Sequence, residues 1–306
     1  MKNYNIKIIF AFIAIYLIWG STYIALRFGI QTIPPFLLSA IRFLIAGAAL
    51  LGYCFIKRIP LPGFTSIINN SICGILMLGG GTVSVAWAEQ YVPSSTAAII
   101  VALLPIWFVL LDKKQWSYYF SNKIILVGLV LGFTGVALLT GFTHTDTSGL
   151  NKPGNAVVGI IAILCGNIAW TTGSLLSKYT TSTTSFLMNG SIQLLATSIV
   201  CFLISLVSGE VTSFSFQQVS AQSCYALLYL ATMGSLVAYL SYIWLLSVRP
   251  AVQVSTYVYV NPVIAVMLGV IFANEQTNFT EVIALIIILC GVLLVNMPKY
   301  IAMKKL

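Results

Sequence analysis

The sequence predicts an all-α integral membrane protein with ten transmembrane helices arranged as two inverted five-helix repeats. Three observations predict it: a composition too apolar for a water-soluble surface, ten apolar runs flanked by alternating positive charge, and matched residues in the two halves. Of the 306 residues, 59% are hydrophobic and 7% are charged, against roughly 25% charged in a soluble domain. Lipid is the solvent that suits such a chain. The net charge of +9 falls in short clusters between apolar runs, as topology signals do. The expected large-scale partner is therefore the lipid bilayer and not nucleic acid.

The bilayer core of about 30 Å needs about 20 apolar residues per helix. Runs of that kind lie at 8–27, 34–56, 67–90, 94–111, 124–141, 156–177, 185–207, 223–247, 251–272 and 280–297. The boundary between the third and fourth rests on Pro93. Lys and Arg test the parse. Lys2, Lys7, Lys57, Arg58, Lys113, Lys114, Lys123, Lys178, Arg249, Lys299, Lys304 and Lys305 fall on one side, and Arg27 and Lys152 on the other. That asymmetry places both termini in the cytoplasm, in the inner membrane if the cell is bacterial. Lys2 and Lys7 before an apolar run imitate a signal peptide, but no small-residue cleavage pattern follows, so a retained first helix is expected.

The halves repeat. Trp19, Arg27, Tyr16 and Arg42 match Trp170, Lys178, Asn167 and Gln193 at an offset of 151, and Trp87, Pro93 and Pro105 match Trp244, Pro250 and Pro262 at an offset of 157. Near each end GFTGVALL at 132–139 matches ILCGVLL at 288–294. The expected organisation is a first repeat at 1–141, a polar extracytoplasmic linker at 142–154 and a second repeat at 155–306. Five is odd, so the second half enters the membrane inverted. Inverted repeats with a midplane site between the halves are a recurrent plan of secondary transporters.

Polar side chains inside the runs are the candidate site. Arg42 is the one charge deep in a span, about 12 Å along its helix from Pro34 at 1.5 Å per residue. A charge there costs roughly 2.5–3.5 kcal/mol on insertion scales. It either faces a cavity and holds a substrate carboxylate or carbonyl, or it locks helices together through backbone carbonyls or Glu89. Tyr16, Trp19, Tyr23 and Arg27 form a stripe on the first run; Asn167, Thr171, Ser174 and Lys178 form one on the sixth. In lipid such stripes face protein or water. Ser235, Tyr239 and Tyr242 share a face of the eighth run, and Tyr257 and Asn261 one of the ninth. The expected substrate-binding set is Trp19, Tyr23, Arg42, Asn167, Trp170, Ser174, Gln193, Tyr239 and Asn261. Trp87 and Trp244 suit an interfacial belt. Pro105 and Pro262 are expected to kink the fourth and ninth helices and to gate, each freeing a carbonyl. The Gly79–Gly81 run suits close helix approach.

Other classes lack their residues. Cys54, Cys73, Cys165, Cys201, Cys224 and Cys290 make no CxxC pair, and His144 stands alone, so no metal site and no cofactor is expected. No nucleotide-binding loop or catalytic cluster stands out, which disfavours a membrane-embedded lipid-modifying enzyme. The acids Glu89, Asp112, Asp146, Glu210, Glu275 and Glu281 lie at run ends and in loops. A proton-driven pump for cations needs a buried carboxylate, and a sugar-phosphate or nucleotide-sugar exchanger needs several buried bases.

WGSTYIALR near the start, PPFLLSAIRFLIAG in the second run, the prolines of the fourth and ninth, and FANEQTNFTEVIALIIILCGVLLV near the end resemble the EamA family of the drug/metabolite transporter superfamily. The resemblance covers nearly the whole chain. It implies ten helices in two inverted five-helix repeats and carriers, mostly exporters of amino acids, metabolites or drugs. The family often has an acid after the proline helix of each half. Glu275 matches it in the second half, whereas Tyr118 or Tyr119 stands there in the first. Taken with the residues, this leads to an expected secondary transporter of a small neutral or zwitterionic metabolite. A homodimer is left open.

Overall fold

The computed structural model describes residues 2–88, 90–92, 97, 100–142, 156–180, 185–273 and 279–303, and some side chains within these stretches, Tyr23 and Arg27 among them, lie outside the described set. The linker at 142–154 with His144, and the sequence landmarks Glu89, Pro93 and Glu275, fall outside it almost entirely. The described residues are helical and hold no strand.

Helix α1 (Lys2–Gly29) is followed by α2 (Pro35–Ile56) and α3 (Phe64–Ala88). Then come the short α4 (Leu104–Leu111), α5 (Trp116–Ser121) and α6 (Lys123–Phe142). The second half runs α7 (Ala156–Tyr179), α8 (Phe186–Val207), the single turn α9 (Glu210–Ser213) and α10 (Ala221–Val248). It ends with α11 (Ala251–Val254), α12 (Tyr257–Ala273) and α13 (Phe279–Met303). Six of these, α1, α2, α3, α7, α8 and α10, are each long and apolar enough to cross a membrane among the described residues. The α5 segment meets α6 at 94°, so it lies across the end of the bundle.

Two of the apolar runs are broken. The ninth has a turn at Ser255–Thr256, and Pro262 then lies inside α12 as expected. The fourth differs from expectation. Its break is at Ala102–Leu103, and Pro105 sits in the first turn of the new helix. First-turn N–H groups have no intrahelical acceptor, so proline costs nothing there. Pro105 therefore starts a helix and does not kink a continuous one.

Both long third helices of the halves contain a nine-residue π-helical stretch: Ile75–Val83 in α3 and Leu230–Ala238 in α10. π-stretches widen the turn and cluster at functional sites. Here each stretch turns one face inward, with Met77, Leu78, Gly81 and Val83 buried in one and Leu230, Ala231, Gly234, Ser235 and Ala238 in the other.

In a bilayer every backbone end needs an internal partner. Ser185 caps α8 and Ser220 caps α10. The α2 N-terminus is met from the other half: the Glu210 carboxylate accepts from the Phe36 and Leu37 N–H groups at 3.3 and 2.9 Å, where it also opposes the positive helix end.

Packing pairs the halves. α2 lies along α8, α3 along α7, α1 along α12 and α10, and α6 along α13. Small residues permit these approaches. A Cβ on Gly291 would stand 2.5 Å from the Gly132 nitrogen, and one on Gly74 would overlap the Gln193 backbone, 2.5 Å from its Cα. We expect Gly74→Ala to destabilise the protein by about 1–3 kcal/mol, because backbone rather than a flexible side chain must give way. Gly52→Ala is the control, since a Cβ there meets nothing within 4 Å. Thermal midpoints of the two variants in detergent should separate, with only Gly74→Ala falling.

Candidate functional site: a cavity between the halves

The site is built around Arg42. Two turns into α2, its side chain is buried, with 4% exposure. Its Nε donates to Ser235 Oγ at 2.9 Å, and Ser235 in turn donates to the Leu230 carbonyl at 3.0 Å. That second bond spans five residues, the π-helical period, so the widened turn of α10 is what presents the Ser235 oxygen to the arginine. The guanidinium carbon lies 4.8 Å from the Phe43 ring centre. Gly234 leaves room beside it: a Cβ there would lie 3.7 Å from Nη2. Among the described residues, the Nε bond is the only side-chain hydrogen bond of Arg42, and its terminal nitrogens are left for the cavity it lines.

That cavity encloses about 820 Å³ of empty space, counting its open mouth. α1, α2, α3, α7, α10 and α12 line it, with Val101 and Leu104 beside the fourth-run break. Its polar groups are few: Thr22, Arg42, Thr82, Asn167, Ser235, Tyr239 and Asn261. The rest is apolar or aromatic, the usual make-up of a small-molecule site.

Four aromatic rings close one end. Trp19 stands 4.6 Å from Tyr257, 5.2 Å from Tyr242 and 5.6 Å from Trp170, centre to centre. Trp170 and Tyr242 are 5.2 Å apart, and Tyr242 and Tyr257 5.9 Å. Such tilted and edge contacts are favourable beyond area burial. Hydrogen bonds fix the set: Trp19 Nε1 donates to the Gly234 carbonyl at 3.3 Å and Trp170 Nε1 to Tyr242 Oη at 2.8 Å.

Two asparagines mark the walls. Asn167 Nδ2 donates to the Ile100 carbonyl at 2.6 Å, beside the break at Ala102–Leu103. Asn261 Oδ1 is buried and has no donor among the described residues. A buried acceptor without a donor is costly.

Of the residues expected at the site, Trp19, Arg42, Asn167, Trp170, Tyr239 and Asn261 come together on this cavity. Ser174 and Gln193 do not line it. Ser174 bonds the Trp170 carbonyl and Tyr242 Oη at 2.6 and 2.7 Å, behind the aromatic rings. Gln193 is fully buried between helices, accepting from Tyr239 Oη at 2.8 Å and donating to Asn70 Oδ1 at 3.1 Å. Arg42 and Gln193 thus do not face each other across the cavity. The Tyr23 side chain is outside the described set. Sequence reasoning left Tyr242, Tyr257 and Ser235 off the site, although each shares a helical face with a residue placed on it.

Beyond the aromatic rings, the bundle end is held by polar contacts. Asp112 is 1% exposed. Its carboxylate accepts from Tyr119 Oη at 2.9 Å and from Tyr179 Oη, at the end of α7, at 2.6 Å. Next to it, Lys178 Nζ donates to the Leu246 carbonyl at 2.8 Å and to the Arg249 carbonyl. Lys114 sits 4.3 Å from the Tyr179 ring centre.

Known proteins share this plan. The model of the EamA-like transporter family matches residues 6–141 and again 157–297. The chain is 36% identical over 295 residues to the uncharacterized inner membrane transporter YedA of Escherichia coli strain K12, covering 95% of this chain and 91% of that one. It is 24% identical over 288 residues to the uncharacterized transporter YoaV of Bacillus subtilis strain 168, covering 94% and 96%. One solved crystal structure superposes with a TM-score of 0.73 at 18% identity, over 93% of this chain and 94% of that one, a likeness of fold alone. With two family matches that together take in both halves, the chain belongs to the EamA-like transporter family and is a membrane transporter.

Proposed function

We propose that the protein is a secondary carrier in the bacterial inner membrane. In this reading it has ten spans in two inverted repeats, keeps both termini in the cytoplasm and exports a small neutral or zwitterionic metabolite, amino-acid-like, or a drug, by alternating access. The observation that carries the reading is the cavity between the halves, with the Arg42 terminal nitrogens and the undonated Asn261 oxygen on its walls. A ligand with an acceptor end and a donor end satisfies both. The apolar lining accommodates its body.

The packing supports the inverted plan. α2–α8 and α6–α13 pair like with like, while α1 against α10 and α12 mirrors α7 against α3 and the α4 segment. The two π-stretches correspond at an offset of 155, from Ile75 to Leu230. Under the charge asymmetry of the sequence, the Asp112–Tyr179 and Lys178 contacts lie at the cytoplasmic end, as expected of an inward-closed state. The test is uptake and efflux of a labelled metabolite panel by purified protein in liposomes, with and without a pH gradient. Movement of no member against protein-free liposomes removes the carrier reading for those compounds. A rate that never saturates would point to a channel.

In this reading the two helix breaks are the hinges, and a pair of matched bonds supports it. Tyr16 Oη pairs with Thr256 Oγ1 at 2.7 Å, in the break of the ninth run, as Asn167 pairs with the Ile100 carbonyl beside the break of the fourth. Tyr16 and Asn167 are repeat partners. Each ties the first helix of one half to the broken helix of the other. Both bonds are formed in the one state described, so removing either, by Tyr16→Phe or Asn167→Ala, should shift the balance away from that state, by about fivefold each for a bond of about 1 kcal/mol. Distances between spin labels on each face would show it. Shifts of opposite sign, or none, would sink the assignment.

A further inference from the structure

Among the described residues, the cavity has one full charge and nothing on its walls to balance it. Arg42 is buried, with 4% exposure, and no Asp or Glu is among the described lining residues. Ser235 offers Nε only a hydroxyl oxygen, at 2.9 Å, itself engaged with the Leu230 carbonyl. The Phe43 ring beside the guanidinium supplies a weak quadrupole. Asn261 supplies a dipole. A guanidinium held this way is costly unless an anion is paired with it. The cost falls hardest when the cavity closes and loses water, which is the step any carrier must pass through.

We infer that Arg42 and Ser235 form a monoanion subsite that is filled in every closing cycle, by the carboxylate of a substrate or, when none is bound, by a small inorganic anion such as chloride. The inference rests on the reading of Arg42 as a ligand-facing residue and adds the obligatory counter-ligand. Geometry favours a single small anion. With Nε tied down, the two terminal nitrogens form the one free edge of the fork, and one carboxylate or one halide can bridge it. A dianion or phosphate would leave charge without a second cation, because no other Lys or Arg lines the cavity among the described residues. Chloride and substrate then compete, and substrate leaves in exchange for an anion.

The test uses the full-length protein in detergent. Sodium chloride replaces sodium gluconate stepwise at constant ionic strength, and the thermal midpoint is followed. A saturable rise with chloride that gluconate does not give is the expected result. Sodium acetate should give the same saturable rise and compete with chloride, which separates a carboxylate from a halide occupant. Arg42→Gln should abolish the saturable part. Should that variant fail to fold, Ser235→Ala frees Nε from its acceptor and should move the half-saturating chloride concentration roughly tenfold, the scale of a lost charged hydrogen bond. Equal, non-saturating effects of chloride and gluconate on the unaltered protein overturn the subsite, as does an undiminished chloride effect in Arg42→Gln or an unchanged half-saturation in Ser235→Ala. Glu89→Gln is the arm for the carboxylate outside the described residues. If Glu89 were the resident counter-charge, chloride would stabilise only the Glu89→Gln protein, which overturns the proposal. Failure of the liposome panel leaves the chloride result standing. Transport that is equally fast with no permeant anion on either side removes the exchange and leaves the carrier.

Discussion

Arg42→Lys should weaken binding of a transported ligand by about tenfold to a hundredfold, while lowering the folding stability by little. The lysine keeps the charge but offers a single ammonium where the arginine offers a planar fork. One lost charged hydrogen bond costs about 1.5–3 kcal/mol, and tenfold in affinity is about 1.4 kcal/mol. Stability behaves differently because of what Arg42 touches. Its one side-chain hydrogen bond among the described residues is to Ser235, and a lysine ammonium is also a charged donor, so a clamp loses little in Arg42→Lys. Replacing a buried charge by a neutral group of similar size is often neutral or stabilising, so Arg42→Gln should fold at least as well as the unaltered protein and bind least of all. Thermal midpoints and ligand affinities on the same purified variants decide the matter. Normal affinity with a fallen midpoint would remove Arg42 from the site.

The helices were legible because lipid leaves few alternatives. The runs at 34–56, 156–177 and 185–207 agree with α2, α7 and α8 to within two residues. The breaks were less legible. Proline marks where a helix can start as well as where it bends, and only the turn at Ala102–Leu103 tells which applies to Pro105. The π-stretches have no such signal: Gly79–Gly81 reads as packing, and LATMGSLVA in the other half has one glycine. They matter because the Ser235 oxygen reaches Arg42 through one of them.

At the site, the pairing of residues was readable in the sequence and the direction each side chain takes was not. The sequence repeat pairs Arg42 with Gln193. Yet Gln193 finds Asn70 and Tyr239 in the helix packing, whereas Arg42, longer and charged, turns to the cavity. Both bond α10, at Tyr239 and Ser235, residues four apart and one turn from each other. A sequence repeat fixes which residues correspond, and local partners then decide which of them meets the ligand.

Asp112 was legible only as an acid at the end of a run, and it motivates the other large expected effect. Its carboxylate is buried and shared by two tyrosines. The bond to Tyr119 stays within the first half, so on the proposed alternating-access reading it is expected to persist whichever way the carrier faces. The bond to Tyr179, at 2.6 Å, crosses to the second half, and on the proposed alternating-access reading it is expected to form only while that end is closed. Losing it should cost the closed state about 1.5–3 kcal/mol, a charged hydrogen bond, and so shift the equilibrium toward opening at that end by about tenfold to a hundredfold. Tyr179→Phe isolates that bond, and Asp112→Ala removes it along with the Tyr119 acceptor. Tyr119→Phe should shift the balance less, since its bond to Asp112 lies within one half and only the approach of its hydroxyl to the Val252 backbone crosses to the other. A cysteine in place of Val254, fully buried in α11, reports the opening in a background stripped of native cysteines. In inside-out vesicles its modification by an impermeant thiol reagent should quicken by at least about tenfold in Tyr179→Phe. If Tyr119→Phe quickens it as much as Tyr179→Phe does, the network is holding the fold of the first half together and is not a latch between the halves.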